Sequence, residues 1–198
     1  MAVCAKDDYI YTSTDGGTTW TPRDSVREWN DIASSGDGST LIASVNNGHV
    51  YTSYDSGITW TPRFIDNYPW RTVRVSKDGS SMIATTYDGI NGTIYVSTDK
   101  GVTWRSQMPG NWYYTATISG NGLVMLGGTT GSIYAGYMNR DGPTGSNGPI
   151  GPIGYTGPTG IASFINQGTW VSSGSCSYST GACASADGTI CAMCDQPH

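Results

Sequence analysis

Few side chains in this chain could do covalent chemistry, and most of them stand where a fold would use them first. Hydrolysis of a glycosidic bond needs two facing carboxyl groups. The chain has one glutamate, Glu28, and the aspartates at 15, 37, 55, 78, 99 and 187 each lie within two residues of a glycine, in turn-forming sequence. A Ser/His/Asp triad needs a histidine beside its nucleophile. The two histidines, His49 and His198, fall in a repeated strand and at the terminus. Cys191 and Cys194 have CxxC spacing, but neither a second such pair nor a pair of histidines accompanies them, and on a strand residues three apart face opposite ways. Buried thiols or one disulfide is therefore preferred to zinc, and five cysteines (4, 176, 183, 191, 194) leave at least one thiol free or intermolecular. No catalytic residue, metal or cofactor is assigned.

Binding chemistry is better represented. Trp29, Trp70 and Trp112 each precede an Asp-Gly or Asn-Gly pair by eight or nine residues, and Tyr178 stands nine before Asp187-Gly188. Aromatics at one recurring place either pack repeats together or present ring faces on which a sugar can stack. Arg71, Tyr113 and Asn30 would add polar and aromatic contacts beside them. Nucleic acid and anionic membrane surfaces are disfavoured, because 10 Lys+Arg against 15 Asp+Glu give a net charge of −5 and no basic footprint. No apolar run reaches the length of a membrane-spanning helix. Residues 1–6 lack the basic and apolar regions of a signal peptide, so export would use another route or the chain is a mature or excised piece.

The elements that must position these residues are written as repeats. Ser13-Thr14-Asp15-Gly16-Gly17-Thr18-Thr19-Trp20 returns as Ser53–Trp60 and again as Ser97–Trp104, with the shared pattern Ser-x-Asp-x-Gly-x-Thr-Trp. The aspartates (Asp15, Asp55, Asp99) can accept backbone N–H bonds within their own turns. The glycines (Gly17, Gly57, Gly101) supply a positive φ. The tryptophans (Trp20, Trp60, Trp104) re-enter a strand with a large apolar ring. A period near 40 residues means a stack of similar supersecondary units.

This octapeptide resembles the Asp box, or BNR repeat, of sialidase-like, sortilin-like and photosystem-assembly-factor-like β-propellers. The resemblance implies a fold element on the outer rim of a blade and not an active site. It also sets a test for sialidase chemistry, which would need an Arg triad, a Tyr–Glu nucleophile pair and an Asp acid. No Arg-Ile-Pro element of the sialidase kind is present, and Arg23 and Arg63 belong to the repeated Thr-Trp-Thr-Pro-Arg strand at the rim.

Between Asp boxes each unit reads as a hairpin, Asp31–Ser35 to Thr40–Ser44, Val73–Ser76 to Ser81–Thr85, and Thr115–Ile118 to Leu123–Leu126, turned by Asp37-Gly38, Asp78-Gly79 and Asn121-Gly122. A third strand and the Asp box then lead into a fourth, which makes one propeller blade. The expected fold is an all-β, four-bladed β-propeller with four antiparallel strands per blade. It would close by pairing N- and C-terminal strands, because the chain begins and stops inside a unit. The recurring aromatics would then ring one mouth of the channel. A fragment of a larger propeller, or two chains sharing one ring, stays open.

The third unit is interrupted by glycine at every third position from 142 to 160, with prolines at 143, 149, 152 and 158. This resembles the collagen-like tracts of surface and fibre proteins in large DNA viruses and some bacteria. Only glycine fits on a triple-helix axis. Residues 1–137 and 162–198 are thus read as a single propeller and 138–161 as a collagen-like insertion, folded back as extended chain or standing as a rod. The functional expectation is a non-enzymatic binding or structural module on a virion or extracellular surface, with a glycan or protein partner, and with trimers possible through the Gly-X-Y run. A sialidase-like hydrolase and an assembly factor that binds a partner protein are the alternatives.

Overall fold

The computed structural model describes residues 1–63, 67–87, 92–111, 115–128, 133–137, 169–174, 179–184 and 191–195. Every regular element among them is a strand: β1 (Ala2–Cys4), β2 (Lys6–Thr12), β3 (Thr21–Ser34), β4 (Leu41–Gly48), β5 (Val50–Ser53), β6 (Thr61–Pro62), β7 (Tyr68–Val75) and β8 (Met82–Tyr87). They continue as β9 (Gly92–Ser97), β10 (Arg105–Asn111), β11 (Thr115–Ile118), β12 (Val124–Gly128), β13 (Ile133–Tyr137), β14 (Thr169–Gly174), β15 (Ser179–Ala184) and β16 (Cys191–Asp195). All pairings are antiparallel.

Three units have four strands in sequence order: the second half of β3 with β4, β5 and β6, then β7 to β10, then β11 to β14. β14 begins 32 residues after β13 ends (169 against 137), yet Tyr137 still pairs with Thr169, so whatever path 138–168 takes returns the chain to the neighbouring position. The long β3 serves two units. Its first half pairs with β2, and from Trp29 onward it pairs with β4. A bulge lies within that first half, since two steps along β2 (Asp8 to Ile10) match four along β3 (Arg27 to Arg23).

The sequence leads one to expect strands with one buried face. Instead β5 and β11 are buried at every position, and Leu41–Ser44 of β4 and Met82–Thr86 of β8 form continuous buried runs. The reason is that these strands are covered from both sides by other sheets, as β11 is by β7 and β8 and by β15. Three apolar clusters lie between successive units. Ile10 meets Trp29, Ala43 and Tyr51 in the first, and Ile42 and Val50 meet Trp70, Val73 and Met82 in the second. Ile83, Ile94 and Val96 meet Ala116, Ile118 and Met125 in the third.

Polar links run across the same seams. Gly36 N–H donates to the Lys77 carbonyl (2.8 Å), and Lys77 N–H to the Gly120 carbonyl (2.8 Å), so three hairpin turns are joined in file. A Cβ on Gly36 would lie 2.6 Å from Lys77 Cγ, which explains why that turn has no side chain there. Asp31 Oδ2 accepts from Val73 N–H (2.9 Å) and Arg74 Nη1 (2.7 Å), and the Asn30 amide donates to the Trp70 and Arg71 carbonyls (3.0 and 2.7 Å).

The hairpin turns fall where the sequence puts them: Ser34 pairs with Leu41, and Asp37-Gly38 lies in the loop between. One expectation is not met: the chain ends do not pair among the described strands. β16 is hydrogen-bonded to β15, β15 packs beside β11 and β12, and β1 lies on β2. The physical reason is in the register. Ala2↔Thr12 and Cys4↔Ile10 reproduce Ile42↔Thr52 and Ser44↔Val50, so β1 already fills the second-strand place of its unit. β16 copies that same place, since Ala184↔Cys191 matches Ser34↔Leu41. The proposed insertion at 138–161 and the turn at Asp187-Gly188 lie outside the described residues.

Trp70 is 1% exposed in the second cluster. Trp70→Ala is expected to cost about 3–5 kcal/mol in urea unfolding, the loss typical of a buried indole. An unchanged midpoint would contradict its place in the core.

Candidate functional site

The Asp-box loops are built alike, and a serine organises each. Ser13 Oγ donates to Asp15 Oδ1 (2.8 Å) and accepts from Gly17 N–H (2.8 Å). The aspartate then reaches four residues on, accepting from Thr19 N–H (2.9 Å) and Thr19 Oγ1 (2.6 Å). Ser53, Asp55, Gly57 and Thr59 repeat this within 0.1 Å, and so do Ser97, Asp99, Gly101 and Thr103. Gly17, Gly57 and Gly101 have φ of 90°, 85° and 79°, as their role requires. The residue before each is also left-handed, including Ser56 (61°) and Lys100 (60°). The indole N–H groups of Trp20, Trp60 and Trp104 close the loops on the carbonyls of Gly17, Gly57 and Gly101, each at 3.0 Å.

A second pin is built on the hairpin turns. Ser35, Ser76 and Ser119 donate to Asp37, Asp78 and Asn121 (2.6 Å each) and accept from the N–H of Thr40, Ser81 and Val124 (3.0 Å each). Sequence reasoning assigned these serines no role. The signal was available, because Ser-x-Asp/Asn-Gly recurs and repeats the opening of the Asp box. The two motifs touch: Ser56 N–H donates to the Ser39 carbonyl and Lys100 N–H to that of Ser80, both at 3.1 Å.

These bonds hold the carboxylates ionised. The Thr19 hydroxyl, the Thr19 N–H and the Ser13 hydroxyl hold Asp15 well below the usual carboxylate range. Ser35 and Ser39 bring Asp37 down to about 2. At Asp55 desolvation raises the value, but Thr59 and Ser53 outweigh it and the result is about 2, while the same balance lowers Asp99. Glu28 is likewise lowered by Lys6 (2.8 Å) and by Asn46 (3.1 Å). A carboxylate held ionised by donors in its own loop is a poor general acid.

The aromatic positions divide. Trp29 (2% exposed) and Trp70 (1%) are core residues, with their indole N–H groups on the Ser25 and Gly48 carbonyls (3.2 and 2.9 Å). Neither offers a ring face to a ligand, which corrects the expected ring of open aromatics at these two members: their faces are covered by Tyr51 and Trp60, and by Tyr68 and Tyr95. Trp112, Tyr113 and Tyr178 lie outside the described residues. Arg71 is exposed, with its guanidinium 5.6 Å from the Tyr87 ring centroid. Arg23 and Arg63 brace the rim by donating from Nε to Thr12 and Thr52 Oγ1 (3.0 and 2.7 Å). Burial, then the charge of Asp31, pushes the Cys4 thiol up to about 11, which keeps it protonated and unreactive at neutral pH.

Repeated four-stranded antiparallel units, the first two with an Asp box between their third and fourth strands, define the architecture of β-propeller blades. Residues 11–22 match the BNR/Asp-box repeat model. Among solved structures, an ancestral GH74 enzyme is 20% identical with a TM-score of 0.56, covering 69% of this chain and 21% of its own. The nidogen/laminin complex gives 14% identity and a TM-score of 0.54, with 64% and 51% covered. YCF48 bound to D1 peptide gives 18% and 0.51, with 71% and 48% covered. At these identities the likeness is one of fold, and the chain matches between about a fifth and half of each of those chains. No curated protein matches it significantly in sequence.

The low values at Asp37 and Asp55 carry a pH signature. Their stabilisation is complete above the unfolded value of about 4 and is lost as pH falls through about 2. Thermal unfolding midpoints are expected to fall between pH 4 and 2, and Asp55→Asn should flatten part of that slope. A midpoint flat over this window would contradict the ionised pins.

Proposed function

We propose that this chain is a non-enzymatic β-propeller module that binds a protein partner on a virion or extracellular surface. One observation carries the reading: the carboxylates at the repeated turns are committed to holding their own loops. The described groups left facing outward are loop and seam residues such as Tyr54, Ile58, Val102 and Arg71. Mixed apolar and aromatic groups with few charges suit contact with a polypeptide. Similar folds in the nidogen/laminin complex and in YCF48 bound to D1 peptide belong to proteins seen with protein or peptide partners, which supports the choice. The surface setting rests on the Gly-X-Y run at 142–160.

The finer architecture of this reading is a ring of four units. β16 and β1 copy one strand position, so the ring closes when β16 takes the place of β1 on β2. By register Cys194 then faces Ile10 as Cys4 now does. Ile10→Cys combined with Cys4→Ser is expected to give an intrachain disulfide to Cys194 under mild oxidation, detected by mass spectrometry of peptides. Only intermolecular cross-links would favour a ring shared between chains.

The enzyme alternative is tested on a panel of aryl glycosides. The expected result is no turnover above a heat-treated control. Turnover abolished by Glu28→Gln would overturn the non-enzymatic reading. On a glycan array, specific binding lost in Arg71→Ala would replace the protein partner by a sugar.

A further inference from the structure

The seams between successive units are built alike, so a difference between two of them is informative. In the seam between the second and third Asp boxes, Thr52 Cγ2 approaches Gly101, where a Cβ would lie 3.1 Å away. In the seam between the first and second boxes, Thr12 Cγ2 approaches Gly57 in the same way, at 2.7 Å. Tyr54 bridges the later seam. It belongs to the second Asp box, and its hydroxyl donates to the Lys100 carbonyl in the third. The Arg63 guanidinium lies 5.3 Å from its ring centroid, within cation–π range.

The earlier seam has every part of this arrangement except the ring. Thr14 stands where Tyr54 stands, one residue after the pinning serine, and Ser56 stands where Lys100 stands, with the same left-handed backbone. Arg23 holds Thr12 as Arg63 holds Thr52. In place of an aromatic there is a half-open cavity of about 470 Å3, lined by Met1, Thr12, Thr14, Asp37, Leu41 and Ser56 among others. Its walls mix methionine, leucine and threonine with serine, and the Asp37 carboxylate among them is already taken up by Ser35 and Ser39, so an amphipathic ring suits the cavity better than an aliphatic chain.

We infer that this notch is a seat for a tyrosine side chain of a partner polypeptide, occupied as Tyr54 occupies the next seam. The ring lies over Thr14 and Gly16, the phenol hydroxyl donates to the Ser56 carbonyl, and the Arg23 guanidinium covers one face. The inference rests on the protein-binding reading and gives that reading its contact chemistry. The protein's own Tyr54 shows that the seam geometry accepts a phenol ring and supplies a carbonyl acceptor at its far side.

The probe is N-acetyl-L-tyrosinamide, titrated into the 15N-labelled full chain and read by NMR. Saturable shifts are expected at Thr14, Gly16 and Ser56 in the low-millimolar range. N-acetyl-L-phenylalaninamide, which lacks the hydroxyl, should bind about fivefold to tenfold more weakly. Thr14→Tyr supplies the ring from within and should abolish those shifts while raising the thermal midpoint. Tyr54→Ala opens the second seam and should add a second saturable site near Lys100. Absence of saturable shifts at the notch in the wild-type chain, or shifts that persist in Thr14→Tyr, would overturn the inference. Equal binding of the phenylalanine amide would overturn the role of the Ser56 carbonyl. Aryl-glycoside turnover bears only on the broader reading, so the two can fail separately.

Discussion

A serine hydroxyl that accepts from one backbone N–H while donating to a carboxylate is the constraint from which the rest follows. In each Asp box the serine accepts from the glycine N–H and gives its own proton to the aspartate, which turns both carboxylate oxygens toward the threonine four residues on. Two consecutive left-handed residues then become tolerable, because the loop is held at both ends. The indole N–H adds a third fastening on the glycine carbonyl. A loop closed this way is held by its own residues, and Ser56 and Lys100 tie two of the loops to the hairpin turns. It delivers the fourth strand against the third at a fixed angle, which is what permits units to stack face to face.

Stacking is then carried by two different interactions. Apolar clusters join each unit to the next across the seam, and a file of backbone hydrogen bonds, Gly36 to Lys77 to Gly120, joins the hairpin turns. The apolar part tolerates different residues: three places before the pinning serine, the second cluster has Val73 and the third Ala116. The backbone file also admits a side chain, since Lys77 stands between Gly36 and Gly120; a Cβ on Gly36 would lie 2.6 Å from Lys77 Cγ and require that side chain to shift.

Much of this was legible in the sequence because the repeats wrote it more than once. The octapeptide gave the loop, its glycine conformation and the strands on either side. The hairpins were legible too, though not the pins at their turns, because Ser35, Ser76 and Ser119 act through hydroxyls whose partners are visible only in three dimensions. Burial of Trp29 and Trp70 was harder to read: periodicity places a residue on a strand but does not say whether the next unit covers its outer face. The same limit hid the strand count at the ends. β1 is three residues long, too short for a pattern, and only its register against β2 reveals that it fills a place which β16 also copies.

The division between repeated and varied positions separates scaffold from recognition in this architecture. The serine, aspartate, glycine, threonine and tryptophan of the Asp box recur because each makes a bond that the loop cannot lose. The position after the serine makes none of those bonds, and it is Thr14, Tyr54 and Thr98 in the three copies. As Tyr54 it reaches across a seam to the Lys100 carbonyl. A propeller-like stack can therefore change what it contacts by single substitutions at such places without disturbing the pins beneath. The carboxylates show the converse: in each Asp box three donors, the serine hydroxyl and the threonine N–H and hydroxyl, commit the aspartate to holding its own loop.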